Sequence, residues 1–161
     1  MTDTTPTESN LSGLDRKDFQ KNINSRKTDL YILKNAQGME VAVTNYGCAI
    51  LSIMVPDKNG KFANVILGHD SIEHVINSPE PFLSTTIGRY GNRIANGKFT
   101  LYGEEHQLTV NNGPNSLHGG PTGFHARVWD AVQPNESTVI FNYTSADGEE
   151  GFPGTLEVEM T

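Results

Sequence analysis

The sequence has little of what several large classes of protein require. It contains one cysteine, Cys48, which excludes an intrachain disulfide and a site of several thiolates, and which fits a reducing compartment. No apolar run approaches the roughly 18 to 20 residues of a membrane-spanning helix, and no basic and then apolar leader opens the chain. The 12 basic residues are outnumbered by 19 acidic ones, so binding to nucleic acid or to an anionic membrane is disfavoured. We therefore expect a soluble, cytoplasmic protein with neither partner.

Familiar catalytic and ligand-binding motifs are also missing. The chain has no phosphate-binding Gly-Lys-Ser/Thr loop, no serine elbow and no dinucleotide glycine fingerprint. His69 and His74 lie near each other in sequence, but their spacing does not place both on one helix face, and no further ligand follows. Glu149 and Glu150 are adjacent, so in an extended segment they point to opposite faces and are interpreted as parts of a turn. We expect no metal ion and no organic cofactor.

What the sequence does contain is a series of short apolar runs separated by turn-forming residues. The runs are about five residues long, recur about every ten residues and do not alternate with helices, which predicts an all-β antiparallel β-sandwich or barrel. One short helix is predicted over residues 71–77, capped by Ser71. The predicted strands are residues 30–33, 39–44, 49–55, 63–67, 99–102, 106–110, 128–132, 138–144 and 156–160.

Composition divides the chain into an arm and a domain. Residues 1–27 are polar and have no periodic apolar pattern, so we expect a mobile arm or a strap laid over the domain formed by residues 28–161. The last apolar run leads directly to Thr161 without a turn, cap or polar tail. Because natural domains usually protect the edge of such a strand, we expect the sandwich to be incomplete at its C-terminal side.

Two polar clusters could carry chemistry. The first, residues 88–93, places two arginines and an asparagine among glycines, and these donors and acceptors suit a ligand rich in hydroxyl groups or a carboxylate. The alternative is a loop whose arginines pair with acidic residues. The second cluster, residues 111–120, is a turn-forming stretch that presents His118 beside two glycines, where a ligand could approach the imidazole without steric cover. Its alternative is a surface loop with an incidental histidine.

The order of these clusters resembles that of the aldose 1-epimerases, or galactose mutarotases. The resemblance runs from about Leu30 to the last residue, and four ordered motifs are more specific than any one of them. The motifs are residues 88–94, 115–120, 123–124 with Trp129, and 148–154, with earlier family landmarks at 55–57 and 67–70.

The resemblance implies a galactose mutarotase-like supersandwich that interconverts the α and β anomers of free hexoses such as galactose and glucose, without a cofactor. In this family a glutamate takes the proton of the anomeric hydroxyl while a histidine protonates the ring oxygen, so that the ring opens and recloses. Asn92 and Arg93 match the family's sugar-binding pair. His118 matches the active-site histidine that hydrogen-bonds the substrate near the reacting centre, and it is both the catalytic and a substrate-binding candidate. By the same comparison His125 is incidental.

The resemblance also implies that part of the site is absent from these 161 residues. The family's second histidine and its catalytic glutamate belong to segments that would follow Thr161. We therefore expect the N-terminal portion of an epimerase, inactive or nearly so by itself, with strand edges that aggregate or pair with a complementary C-terminal chain or segment. Two alternatives remain open at this point, a non-catalytic carbohydrate-binding module of the same fold and a purely structural β-domain. An epimerase for hexose 6-phosphates is disfavoured because no added basic cluster would hold the phosphate.

Overall fold

A computed structural model of the chain describes residues 10–161, and antiparallel strands are its main regular elements. The strands are β1 (Asn22–Ile23), β2 (Arg26–Lys27), β3 (Leu30–Lys34), β4 (Glu40–Thr44), β5 (Ile50–Pro56), β6 (Phe62–Asn64), β7 (Arg93–Ile94), β8 (Lys98–Leu101), β9 (Glu104–Gln107), β10 (Ser116–Leu117), β11 (Asp130–Asn135), β12 (Thr138–Ser145) and β13 (Leu156–Met160). The helices in this part of the chain are α1 (Ile72–Ile76) and 3-10 turns at Arg16–Phe19, Ala95–Gly97, Phe124–Ala126 and Glu149–Gly151. The predicted all-β antiparallel class is confirmed, and so is the short helix capped by Ser71.

The core lies on both faces of the sheet β3-β4-β5-β6. Successive side chains of a strand point to opposite faces, and here Leu30 of β3 enters one buried cluster while Tyr31 packs against another. The first cluster includes Phe19 and the apolar side of α1. In the second, Tyr31 meets Phe141 of the sheet β11-β12-β13 edge to face, with 5.8 Å between the ring centroids. The two sheets therefore form the layers of a sandwich.

Two predicted strands end earlier than the apolar pattern suggested. The prediction of a strand over 63–67 is wrong beyond Asn64, because the Asn64 side-chain oxygen accepts hydrogen bonds from the N–H groups of Ile53 and Ile66 and so replaces the strand ladder. The strand predicted at 106–110 runs instead from Glu104 to Gln107. A two-residue turn at Tyr102 and Gly103, whose φ angles are 51° and 87°, starts the return strand earlier.

The N-terminal arm predicted for residues 1–27 is described from residue 10 onward, and residues 1–9 lie outside the described residues. From residue 10 the chain packs on the sandwich, with Phe19 fully buried in the first cluster. The carboxylate of Glu40, also fully buried, accepts the N–H groups of Leu11 at 2.9 Å and Ser12 at 3.0 Å. Within residues 10–161 there is no helix with the length and apolar character needed to cross a membrane.

Candidate functional site

The pairing of β7 with β10 brings the two polar clusters together. Arg93 lies opposite Leu117 in this short antiparallel ladder, so Asn92 and His118 become neighbours. The His118 N–H donates to the Asn92 carbonyl at 3.0 Å, and the Asn92 N–H donates to Nδ1 of His118 at 3.0 Å. The three residues that the resemblance singles out, Asn92, Arg93 and His118, are thus held in one place.

The hydrogen bond to His118 decides which ring nitrogen can act on a ligand. Because Nδ1 accepts the Asn92 N–H, the neutral ring must carry its proton on Nε2, and Nε2–H is left as a donor. Asn92 and His118 both have left-handed backbones, with φ of 65° and 54°. Such conformations are uncommon for side chains larger than glycine and concentrate at functional sites.

The Arg93 side chain is exposed and oriented by two asparagines. Its Nε donates to Asn112 Oδ1 at 2.8 Å, and Nη1 donates to Asn92 Oδ1 at 3.3 Å. No carboxylate within residues 10–161 pairs with Arg93 or with Arg89, so the ion-pair alternative for this loop is not observed in that part of the chain. The arrangement leaves N–H donors of Arg93 that a polar ligand could use.

Arg89 has a different role from Arg93, although the two lie in the same motif. Its guanidinium makes five hydrogen bonds within the fold and lies over the ring of Phe152, 5.9 Å from the centroid. The acceptors are the Ser145 hydroxyl and the carbonyls of Ser145, Ala146, Pro153 and Gly154. Arg89 therefore fastens the end of β12 to the turn before β13.

The glycines of the two clusters serve backbone packing more than ligand access. A Cβ on Gly119 would stand 1.8 Å from the Gly88 carbonyl oxygen, and a Cβ on Gly88 would stand 2.1 Å from the Phe124 ring. The expectation that the glycine after His118 leaves room for a ligand is wrong for Gly119, because the protein's own chain fills that space. Gly91 is different, since its nearest neighbour would be 3.8 Å away.

Three residues near the site were not singled out by sequence reasoning, and a fourth, His125, was interpreted as incidental. Asn112 holds Arg93, and Asn111 fixes Leu117 by accepting its N–H at 2.7 Å and donating to its carbonyl at 3.0 Å. The other two, Phe82 and His125, make ring contacts described below. The Asn-Asn pair before the turn was visible as a cluster of side chains able to bond to backbone, but no spacing rule connects Phe82 with His118.

The acidic pair at 149–150 is committed to the fold. Glu149 accepts hydrogen bonds from the hydroxyls of Tyr143 and Ser145. Burial, and then the bond to Glu149, raises the pKa of Tyr143 to about 12. Glu150 accepts from the N–H and the hydroxyl of Thr122. The two carboxylates bind different segments from within a 3-10 turn, as the turn interpretation predicted.

The surroundings of the site include an open groove beside Arg93. The groove has a volume of about 500 Å³ and is walled mainly by apolar side chains, among them Ile94, Phe99 and Phe152. This volume lies in the range of small-molecule sites. No group of three or more His, Cys, Asp or Glu side chains within residues 10–161 is placed to hold a metal ion. His74 instead contacts Asp70, with 2.5 Å between Nδ1 and Oδ1.

Comparison with known proteins gives consistent matches. A family model described as Aldose 1-epimerase matches residues 29–161. The galactose mutarotase of Bos taurus is 42% identical over 120 residues, which are 74% of this chain and 34% of that protein. The aldose 1-epimerase of Escherichia coli (strain K12) is 42% identical over 127 residues, 79% of this chain and 36% of that protein. The chain thus spans about a third of the length of these relatives.

Solved structures match over a similar part. A GalM/aldose epimerase homologue from C. elegans superimposes with a TM-score of 0.77 at 31% identity, covering 82% of this chain and 40% of that one. The galactose 1-epimerase from Lactobacillus acidophilus NCFM gives a TM-score of 0.74 at 30% identity, covering 86% of this chain and 41% of that one. The predicted antiparallel β-sandwich is confirmed by these superpositions.

Proposed function

Because the chain belongs to the aldose 1-epimerase family, we propose that it supplies part of the sugar-binding pocket of an enzyme that interconverts the α and β anomers of free hexoses such as galactose and glucose. The observation that carries the proposal is the reciprocal pair of hydrogen bonds between Asn92 and His118, with the Arg93 guanidinium beside them. The substrate class comes from the relatives, which are named galactose mutarotase and aldose 1-epimerase.

In the proposed reaction the sugar has the same composition before and after, because it loses one proton and gains one. A base takes the proton of the anomeric hydroxyl while an acid protonates the ring oxygen, the bond between C1 and the ring oxygen breaks, and C1 becomes an aldehyde. Rotation about the C1–C2 bond and reclosure give either anomer. The Nε2–H of His118 is suited to donate a hydrogen bond to a sugar oxygen near C1, and Arg93 to donate to hydroxyl groups.

The acid and the base belong, in this proposal, to a part of the protein beyond these 161 residues. The family uses a second histidine and a glutamate, and the nearby Glu149 and Glu150 are already engaged by Tyr143, Ser145 and Thr122. Support comes from the coverage, since relatives are about three times as long as the matched region. We propose that the 161 residues alone bind sugar without catalysis, that a complementary C-terminal segment completes the pocket, and that the enzyme works in the cytoplasm.

Polarimetry on freshly dissolved α-D-galactose or α-D-glucose tests the proposal. The 161-residue chain is expected to leave the buffer rate unchanged, and the protein with the complete site to accelerate equilibration. In the latter, His118→Ala should lower turnover by about 10²-fold or more, and Arg93→Ala should mainly raise KM. His74→Ala, which removes an exposed imidazole paired with Asp70, is the matched control. Wild-type rates in both site variants would contradict the assignment.

A second candidate is a non-catalytic carbohydrate-binding module. It is favoured by one observation: Asn92, Arg93 and His118 lie together, while no carboxylate within residues 10–161 pairs with Arg93, and Glu149 and Glu150 are bonded elsewhere. Calorimetric titration of galactose distinguishes the two functions. Saturable binding without anomer exchange, in the longest natural form of the protein, would establish the module and refute the enzyme.

A further inference from the structure

The ring of Phe82 contacts two imidazoles. It comes from the turn at residues 81–84 and meets His118 with 4.8 Å between ring centroids and an interplanar angle of 61°. It meets His125 at 4.5 Å and 60°. Both contacts have the edge-to-face geometry that aromatic rings prefer. Phe82 therefore connects the proposed site residue His118 to a second, buried histidine.

His125 packs against Phe82 as a buried, uncharged ring. Its side chain belongs to a residue only 4% exposed, and its Nδ1 has no hydrogen-bond partner among residues 10–161. Burial lowers the pKa of His125, the nearby positive charge of Arg127 acts in the same direction, and the carboxylate of Glu150 opposes them. Because the ring is neutral and enclosed, it serves as a packing surface against Phe82.

The contact with Phe82 matters for His118 because a single hydrogen bond to Nδ1 restrains the ring only weakly. The outer torsion of a histidine side chain has broad, nearly two-fold preferences. A half-turn of the His118 ring would exchange Nδ1 with a carbon and leave the Asn92 N–H without its acceptor. The edge-to-face contact with Phe82 favours the observed plane of the His118 ring, in which Nδ1 can accept the Asn92 N–H, because other ring angles would bring the imidazole into the Phe82 side chain.

We propose that Phe82, which packs against His125, is a positioning residue. It keeps the His118 ring in the orientation in which Nδ1 accepts the Asn92 N–H and Nε2–H remains available as a donor. The consequence for anomer exchange rests on the proposed function. The orientation itself does not, because it is a property of the sugar-free chain.

Nitrogen-15 NMR of the imidazole side chains at about pH 8 tests the proposal. The wild-type chain should show His118 as a single Nε2–H tautomer. Phe82→Leu should shift both His118 nitrogens toward the averaged values of mixed tautomers, and Phe82→Tyr, which keeps the ring, should restore the wild-type pattern. Phe62→Leu is the matched control, because it makes the same change on the half-buried strand β6 and should leave His118 unaltered.

Three outcomes would overturn the positioning role: an unaltered His118 pattern in a folded Phe82→Leu chain, an equal change in Phe62→Leu, or failure of Phe82→Tyr to restore the signals. If Phe82→Leu does not fold, His125→Leu removes the ring that packs against Phe82 and must also shift the His118 signals. In the protein with the complete site, Phe82→Leu should lower kcat about ten-fold with little change in KM. Anomer exchange that is absent from every form would refute the proposed function while leaving the NMR result intact.

Discussion

Replacing Arg89 by lysine tests whether the two arginines of one short motif have separate roles. Arg89→Lys keeps the positive charge but exchanges a planar group with five N–H donors for an ammonium with three. Of the five hydrogen bonds made by Arg89, three reach partly buried acceptors, namely the Ser145 hydroxyl, the Ser145 carbonyl and the Pro153 carbonyl. The other two reach the exposed carbonyls of Ala146 and Gly154, which water can solvate.

The expected loss follows from those partly buried acceptors. A hydrogen bond to a charged group contributes about 1.5–3 kcal/mol, and one lysine can retain one or two of the three. Arg89→Lys, which loses one or two of these hydrogen bonds, should therefore lower the free energy of unfolding by about 1.5–6 kcal/mol. For a domain of this size that is a decrease in Tm of about 3–24 °C. Arg93→Lys is the matched control, since the exposed Arg93 side chain bonds, among residues 10–161, to Asn112 and Asn92 alone, and it should cost about 1 kcal/mol or less.

Urea unfolding of the two variants, followed by the fluorescence of the buried Trp129, measures the difference. A galactose titration of each variant completes the comparison, because Arg93→Lys should weaken sugar binding while Arg89→Lys should not at temperatures where it is folded. The separation of roles would be refuted by equal losses of stability, or by an Arg89→Lys chain of wild-type stability that no longer binds sugar.

Three further results are expected. Glu40→Gln should lower the free energy of unfolding by about 1.5–3 kcal/mol in urea titrations. The loss should be far smaller in a chain that lacks residues 1–12, because the bonding partners Leu11 and Ser12 are then gone. Equal losses in both chains would contradict this. Asn112→Ala should weaken sugar binding with little effect on Tm, since it frees the Nε of Arg93, and an unchanged Kd from calorimetry would refute that role. Burial lowers the pKa of folded His125, so its contribution to stability is present above the ordinary pKa of about 6.5 and is lost as pH falls through the lowered value; Tm measured between pH 7.5 and 5 should fall less steeply in His125→Phe than in the wild type.

Much of the sandwich could be predicted from local pattern. A near-continuous apolar run such as that of β3 is expected of a sheet with apolar layers on both faces, and the turn residues between β3 and β4 mark the hairpin. The ends of β6 and β9 could not be predicted in the same way. At Asn64 a side chain takes over the strand's hydrogen bonds, and at Tyr102 the turn is one residue earlier than the apolar run implies. The first depends on side-chain hydrogen bonds and the second on left-handed backbone angles, and residue hydrophobicity encodes neither.

The sequence by itself determined the short strands and, through the order of its motifs, the candidates Asn92, Arg93 and His118. Tertiary structure alone decided how side chains of the same type divide their roles. Arg89 holds two segments of the fold together and Arg93 is an oriented hydrogen-bond donor, because their acceptors come from different and distant segments. Likewise, the hydrogen bond from Asn92 defines which nitrogen of His118 is the donor, and packing on Phe82 gives the ring an aromatic contact. Hydrogen bonds and ring contacts act over a few ångströms of space, and only the folded chain brings such residues within that distance.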